Sequence, residues 1–172
     1  MQFKSVTFDL DGTLLDTVPD LYEASRRTLA ELGLPQRSES EIRNFVGQGV
    51  VVLVRRCLTR ETPPSEAQLN EAVAVFQRHY AAVNGKYCQI FANVLAGLDA
   101  WQATGLPLAV VTNKPAAFTE PLLERMGLMN YFDAIVSGEI VKAKKPSPEV
   151  YKKALELLNL PPRDCLVVED SA

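Results

Sequence analysis

Apolar residues fall along this chain in two kinds of group. Four short runs, "KSVTFD" (4–9), "LPLAVVT" (106–112), "AIVSG" (134–138) and "CLVVED" (165–170), are rich in β-branched, aliphatic or aromatic residues, and "LPLAVVT" is continuously apolar. Such runs read as strands buried on both faces, as in a parallel sheet. Between them, apolar positions recur at helical spacing. Leu21, Ser25, Leu29 and Leu32 do so from Pro19 to Leu32, with Asp20 and Glu23 in the first turn and Gly33 as the stop. "SESEIRNFV" (38–46) opens on a serine cap with acids behind it, and "SEAQLNEAVAVFQRHYAAV" (65–83) is an amphipathic helix. "VVVLVRRCL" (50–58) is ambiguous: its β-branched residues favour a strand, its arginine pair and flanks a helix. Three helices remain: "NVLAGLDAWQATG" stopped by Gly105, "KPAAFTEPLLERMGL" with Pro121 expected near its start, and "SPEVYKKALELLNL" with a stripe of Val150, Ala154, Leu157 and Leu158.

Strand, helical block, then strand–helix–strand–helix–strand implies right-handed crossovers. The expected fold class is α/β, a Rossmann-like parallel sheet with an inserted helical cap after the first strand. The expected boundaries are 1–18 and 91–172 for the α/β core and 19–90 for the cap. No repeat or low-complexity segment interrupts this order.

Composition narrows the function classes. The chain has 172 residues, 47% apolar and 23% charged, with a net charge of −3. That suits one globular domain with an insertion, and it advertises no basic face for nucleic acid. No apolar run approaches transmembrane length, and Asp9 and Asp11 interrupt the only N-terminal apolar stretch. Cys57, Cys88 and Cys165 match neither a disulfide framework nor a zinc spacing, so they read as reduced, mostly buried thiols. The expectation is a cytoplasmic protein, a monomer or homodimer, with no nucleic-acid or membrane partner.

In an open α/β sheet, ligands bind outside the carboxyl ends of the strands. Those ends carry chemistry here. The first ends in Asp9, Asp11 and Thr13. The second ends in Thr112 and Asn113. The third leads into "GEIVKAKKPSP" with Lys142, Lys144 and Lys145. The fourth ends in Glu169, Asp170 and Ser171. Carboxylates and water suit Mg²⁺. A carboxylate can also attack phosphorus, a second carboxyl can carry the leaving group's proton, and a lysine can offset phosphoryl charge. Lys142 and Lys144 read as solvated charges, and Lys145, set by the following Pro-Ser-Pro, as functional. His79 reads as structural and Trp101 as core. In the helical block, Gly47 and Gly49 of "FVGQGV" suggest a tight loop that reads substrate. Arg55 and Arg56 are either a second anion site or a plain exposed pair.

"FDLDGTLLDT" resembles the first motif of the haloacid dehalogenase superfamily. "VVTNKP", "KKPSP" and "VVEDS" resemble its second, third and fourth motifs, in order and across nearly the whole chain. The resemblance implies a Mg²⁺-dependent hydrolase of a small-molecule phosphate ester, working through an aspartyl-phosphate. It implies Asp9 as nucleophile and metal ligand. It implies Asp11 as the proton carrier whose carbonyl binds the metal, and Lys145 as the charge-neutralising lysine. Thr13 would support the first loop beside the phosphate. Thr112 and the Asn113 backbone would hold the phosphate, Gly47 would contact substrate, and Glu169 and Asp170 would complete the metal site.

"DTVPDL", "FVGQGVVVLVRRCL" and "YFDAIVSG" resemble the phosphoglycolate phosphatase branch, making 2-phosphoglycolate the first expected substrate. The segment from Gly138 onward resembles the β-phosphoglucomutase-like branch, notably in Glu169, where phosphoglycolate phosphatases usually have glycine. "CQIFANV" departs from the usual proline-glycine turn. A sugar-phosphate phosphatase or phosphosugar mutase is therefore the alternative. Outside the class stand a non-catalytic Mg²⁺ and phosphate-binding module and an inactive fragment. The family pattern continues for a helix, strand and helix beyond the fourth motif. The expectation is thus a core lacking its C-terminal part, with a loose metal site and weakened activity.

Overall fold

The computed structural model describes residues 3–161 and 164–170; Ser171, named above at the fourth strand end, lies outside the described residues. In chain order the elements are β1 (Ser5–Phe8), β2 (Leu15–Asp16), α1 (Val18–Glu31), α2 (Glu39–Phe45), α3 (Val50–Leu58) and α4 (Glu66–Val83). There follow β3 (Gln89–Ile90), α5 (Val94–Gln102), β4 (Leu108–Val111), α6 (Ala116–Arg125), β5 (Ala134–Val136), α7 (Pro148–Leu157) and β6 (Cys165–Val168). Two compact units divide the chain, Met1–Asp16 with Gln89–Ala172 and Thr17–Cys88.

The first unit holds a parallel sheet in the order β5-β4-β1-β6. All four residues of β1, including the polar Ser5 and Thr7, and all four of β4 are buried. By contrast β6, expected to be buried on both faces, is half-buried with Val167 exposed, because it stands at the end of the strand order. On one face, Ala109, Val111, Ala134 and Val136 meet Val150 and Ala154 of α7. Each such Val contributes roughly 1.5–3 kcal/mol by leaving water. That apolar burial fixes the strand ends, and with them the charged groups carried there. Where the chain leaves and re-enters this unit, β2 and β3 pair as a two-residue antiparallel ribbon. The ribbon is too short to register as periodicity in the sequence. Pro121 lies inside α6, at its sixth residue, rather than near the start. The N-terminus of α6 is held by other means: Glu139 Oε2 accepts the Ala116 N–H at 2.9 Å, because Pro115 at the cap has no side-chain acceptor. Trp101 is half-buried at the end of α5, not core.

The second unit is helical throughout its regular elements, and the ambiguous "VVVLVRRCL" is helix α3. Ser38 and Ser65 each close a capping box, with Glu41 and Gln68, at the starts of α2 and α4. Leu29, Ile42, Leu53, Val54, Leu69 and Phe76 form its buried interior. Asp20 has a larger task than marking a first turn. Its fully buried carboxylate accepts the backbone N–H groups of Gly85 (2.6 Å) and Tyr87 (2.7 Å), tying the start of α1 to the loop after α4. Replacing it by alanine orphans both donors. Asp20→Ala is expected to cost about 1–3 kcal/mol, read as a lower urea midpoint. Asp20→Asn, which keeps one acceptor oxygen, is expected to lose less.

Candidate active site

The burial of β1 delivers Asp9, itself only 8% exposed, to the carboxyl edge of the sheet. Its N–H bonds Val168 O at 3.0 Å, continuing the β1–β6 ladder. The chain then turns sharply around the fully buried Leu10, whose carbonyl accepts the Leu14 and Leu15 N–H groups. Gly12 makes the turn possible at φ +98°, and any Cβ there would stand 2.6 Å from Asp170 Oδ2. Thr13 Oγ1 donates to Asp170 Oδ1 at 3.4 Å. The first loop and the fourth strand end are thus joined side chain to side chain.

Two lysines serve the carboxylates. Lys145 Nζ lies 2.5 Å from Asp9 Oδ1 and 2.7 Å from Glu169 Oε1. Its backbone is clamped by the Asn113 side chain, whose Oδ1 accepts the Lys145 N–H (2.9 Å) and whose Nδ2 donates to the Lys145 carbonyl (3.4 Å). Lys114 is buried and donates to Asp11 Oδ1 at 2.9 Å. Its backbone is pinned too: its N–H reaches Thr112 Oγ1 (3.2 Å), and its carbonyl accepts from Gly138 N (2.9 Å) and Thr119 Oγ1 (3.2 Å). Gly138 cannot be larger, since a Cβ would meet the Asn113 carbonyl oxygen at 2.4 Å.

Burial pushes the Asp9 carboxyl up from 3.8 to about 7. Lys145 opposes the shift, while Asp11 and Glu169 add to it. Tyr151 donates its hydroxyl to Glu169 Oε1 at 2.9 Å. Burial, and then this bond, hold the phenol well above its ordinary value, so it remains a donor. Glu169 Oε2 is buried and has no hydrogen-bond partner among the described residues. Asp9, Glu169 and Asp170 each offer an oxygen, all within 4.8 Å of one another. An orphaned buried carboxylate oxygen among two other carboxylates is the donor set of a hard cation. Charge agrees. Asp9, Asp11, Glu169 and Asp170 face Lys114 and Lys145, leaving two negative charges when all are ionised.

Asp9, Asp11, Thr13, Thr112, Asn113, Lys145, Glu169 and Asp170 therefore all lie at the carboxyl edge of the sheet or in the loops leaving it. Gly47 lies in the helical unit, in the loop between α2 and α3, at φ +110°. Lys142 and Lys144 are exposed. Arg55 pairs with Glu66 (3.3 Å), Arg56 bonds Phe45 O and Gln48, and His79 bonds Glu31 (2.8 Å), all within the helical unit. Burial pushes the Cys57 thiol up to about 11, so it stays protonated and unreactive at neutral pH. Lys114 and Tyr151 were not singled out from the sequence. Lys114 directly follows the Thr-Asn pair at a strand end, a place where a lysine is not simply a surface charge. Tyr151 begins the second turn of the helix after the lysine loop, one residue off its apolar stripe, and nothing local marks it.

Comparison with known proteins gives the family. Residues 6–172 match the haloacid dehalogenase-like hydrolase family. A plasmid-encoded phosphoglycolate phosphatase of Cupriavidus necator is 42% identical over 168 residues, covering 98% of this chain and 73% of that protein. The crystal structure of a predicted phosphoglycolate phosphatase from Haemophilus somnus superposes with a TM-score of 0.89 at 31% identity, over 97% of this chain and 76% of the other. CbbY from Rhodobacter sphaeroides, solved in complex with phosphate, superposes with a TM-score of 0.80 at 26% identity, over 99% and 79%. Among the described residues, no helix is long and apolar enough to cross a membrane. This chain therefore belongs to the haloacid dehalogenase-like hydrolases.

Proposed function

We propose that the protein is a Mg²⁺-dependent phosphomonoester hydrolase acting on a small metabolite, with 2-phosphoglycolate as its substrate. One observation carries the reading. Four carboxylates and two lysines converge at one edge of the sheet, with the most buried acid, Asp9, in contact with Lys145. The named relatives support the choice of substrate class.

In this reading Asp9 attacks phosphorus and the bond to the leaving oxygen breaks. Asp11 donates a proton to that oxygen. Water then attacks the phosphorus of the aspartyl-phosphate, Asp11 takes the water's proton, and the bond to Asp9 breaks to release phosphate. Thr112 and the Asn113 backbone hold the phosphate oxygens, Lys145 offsets their charge, and Thr13 steadies the first loop. Asp9, Glu169, Asp170 and the Asp11 carbonyl would hold Mg²⁺, which when bound supplies charge stabilisation for the transferring phosphoryl group. The helical unit serves as the cap that selects substrate, with Gly47 a substrate-contacting position in it. A sugar-phosphate phosphatase is the second reading, favoured by the carboxylate at Glu169.

A panel of 2-phosphoglycolate, sugar phosphates and a chromogenic ester, run with Mg²⁺ and with EDTA, tests the reading. Phosphoglycolate is expected to give the highest kcat/KM and EDTA to abolish release. Preference for a sugar phosphate selects the second reading, and isomerisation without phosphate release would make the protein a mutase. Asp9→Asn is expected to lower kcat about ten-thousandfold while sparing the fold; retained turnover excludes the covalent route.

The Asp9 carboxyl also sets a pH dependence. Its folded value, about 7, lies above its unfolded one of 3.8. The folded metal-free protein therefore holds an extra proton between these values. This contribution to stability is complete below pH 4 and is lost as pH rises through 7. The melting temperature of the metal-free protein is expected to fall across that window. Saturating Mg²⁺ and Asp9→Asn are each expected to flatten the fall. An equal fall in Asp9→Asn assigns it to other groups.

A further inference from the structure

Glu169 is held in an unusual way for a residue expected to ligate a cation. Its Oε1 accepts two donors, Lys145 Nζ at 2.7 Å and the Tyr151 hydroxyl at 2.9 Å. Its Oε2 is buried and accepts none from the described residues. The Lys145 ammonium is divided, because it also contacts Asp9 Oδ1 at 2.5 Å. Among the described residues, the Tyr151 hydroxyl bonds Glu169. The tyrosine ring is itself fixed. It rests against the cluster of Ala109, Val111, Ala134, Val136, Val150 and Ala154, and its helix begins on Pro148 with Ser147 Oγ accepting the Glu149 N–H. A packed element thus fixes the rotation of a carboxylate that is grouped with two more acids.

We infer that Tyr151 is a positioning residue for the cation site, holding Glu169 so that it presents Oε2 alone. The inference rests on the metal site proposed above. Two donors on Oε1 oppose bidentate ligation. Single-oxygen carboxylate ligation suits the small octahedral shell of Mg²⁺ or Mn²⁺, whereas Ca²⁺ accepts bidentate carboxylates at longer range. Tyr151 is therefore both an affinity and a discrimination device. Outer groups of this kind commonly change metal affinity by 10–100-fold, roughly, when removed.

The test is Mn²⁺ binding to substrate-free protein, with free ion read by electron paramagnetic resonance and Ca²⁺ as competitor. Tyr151→Phe keeps the ring and its packing and removes only the hydroxyl. It is expected to weaken Mn²⁺ binding about tenfold and to raise the affinity for Ca²⁺ relative to Mn²⁺. The melting temperature of the metal-free protein should fall only slightly, since Glu169 Oε1 keeps Lys145, and the KM for a phosphate ester at saturating metal should be unchanged. Tyr151→Leu is expected to show the same Mn²⁺ loss together with a lower melting temperature. Tyr151→Phe binding Mn²⁺ as tightly as the parent, with the same Ca²⁺ competition, overturns the inference. So does a parent protein that binds no Mn²⁺. A parent that hydrolyses no phosphate ester, but whose Tyr151→Phe variant loosens Mn²⁺, supports the inference and overturns the proposed function instead.

Discussion

Like charges crowded at the end of a buried sheet are the constraint on which this molecule depends. Two unit charges 4 Å apart near a protein surface interact by about 4 kcal/mol. Asp9, Glu169 and Asp170 offer oxygens within 4.8 Å of one another, and Asp11 follows Asp9 by two residues. The repulsion is met by two lysines placed from different elements, Lys114 after β4 and Lys145 after β5. Neither is left to find its partner from a flexible loop. Lys114 is locked through its own N–H and carbonyl, and Lys145 through the Asn113 side chain.

These local devices explain several residues with no chemistry of their own. Gly12 leaves room for the Asp170 carboxylate, and Gly138 lets the loop after β5 approach the Asn113 carbonyl. Thr119 and Gly138 both bond the Lys114 carbonyl. Asn113 holds the lysine loop with its side chain, and its backbone makes the phosphate contact in the proposed mechanism. One short loop can therefore tie together the lysine, the phosphate position and the third strand end. The apolar interior of β1 and β4 provides the stability against which buried charge is set.

Much of this was legible in the chain. The strand β4 was legible because burial on both faces removes alternation, and "LPLAVVT" can be little else. The acids of "FDLDGT" and "VVED" were legible because a charge directly after such a run must lie at a strand end. What stayed hidden was hidden for physical reasons. The β2–β3 ribbon has two residues per strand, shorter than any period. The helix α3 is made of β-branched residues whose local preference is overridden by packing against α4. Pro121 sits mid-helix, where the local rule places it near the start. Asp20 looks like a first-turn acid and is a buried acceptor for a loop more than sixty residues away.

The residue types at the strand ends were settled along the chain itself, since strand periodicity and chain order are local and the α/β crossover has one hand. Which charge meets which was not. Lys114 and Lys145 are both lysines beside prolines, and nothing in the linear order says that one takes Asp11 and the other Asp9 and Glu169. Tyr151 is likewise one tyrosine on an amphipathic helix until α7 docks on β4 and β5 and brings its hydroxyl to Glu169. Hydrogen bonds of about 3 Å between residues 18 to 103 positions apart depend on how whole elements pack, so only the folded chain could assign them.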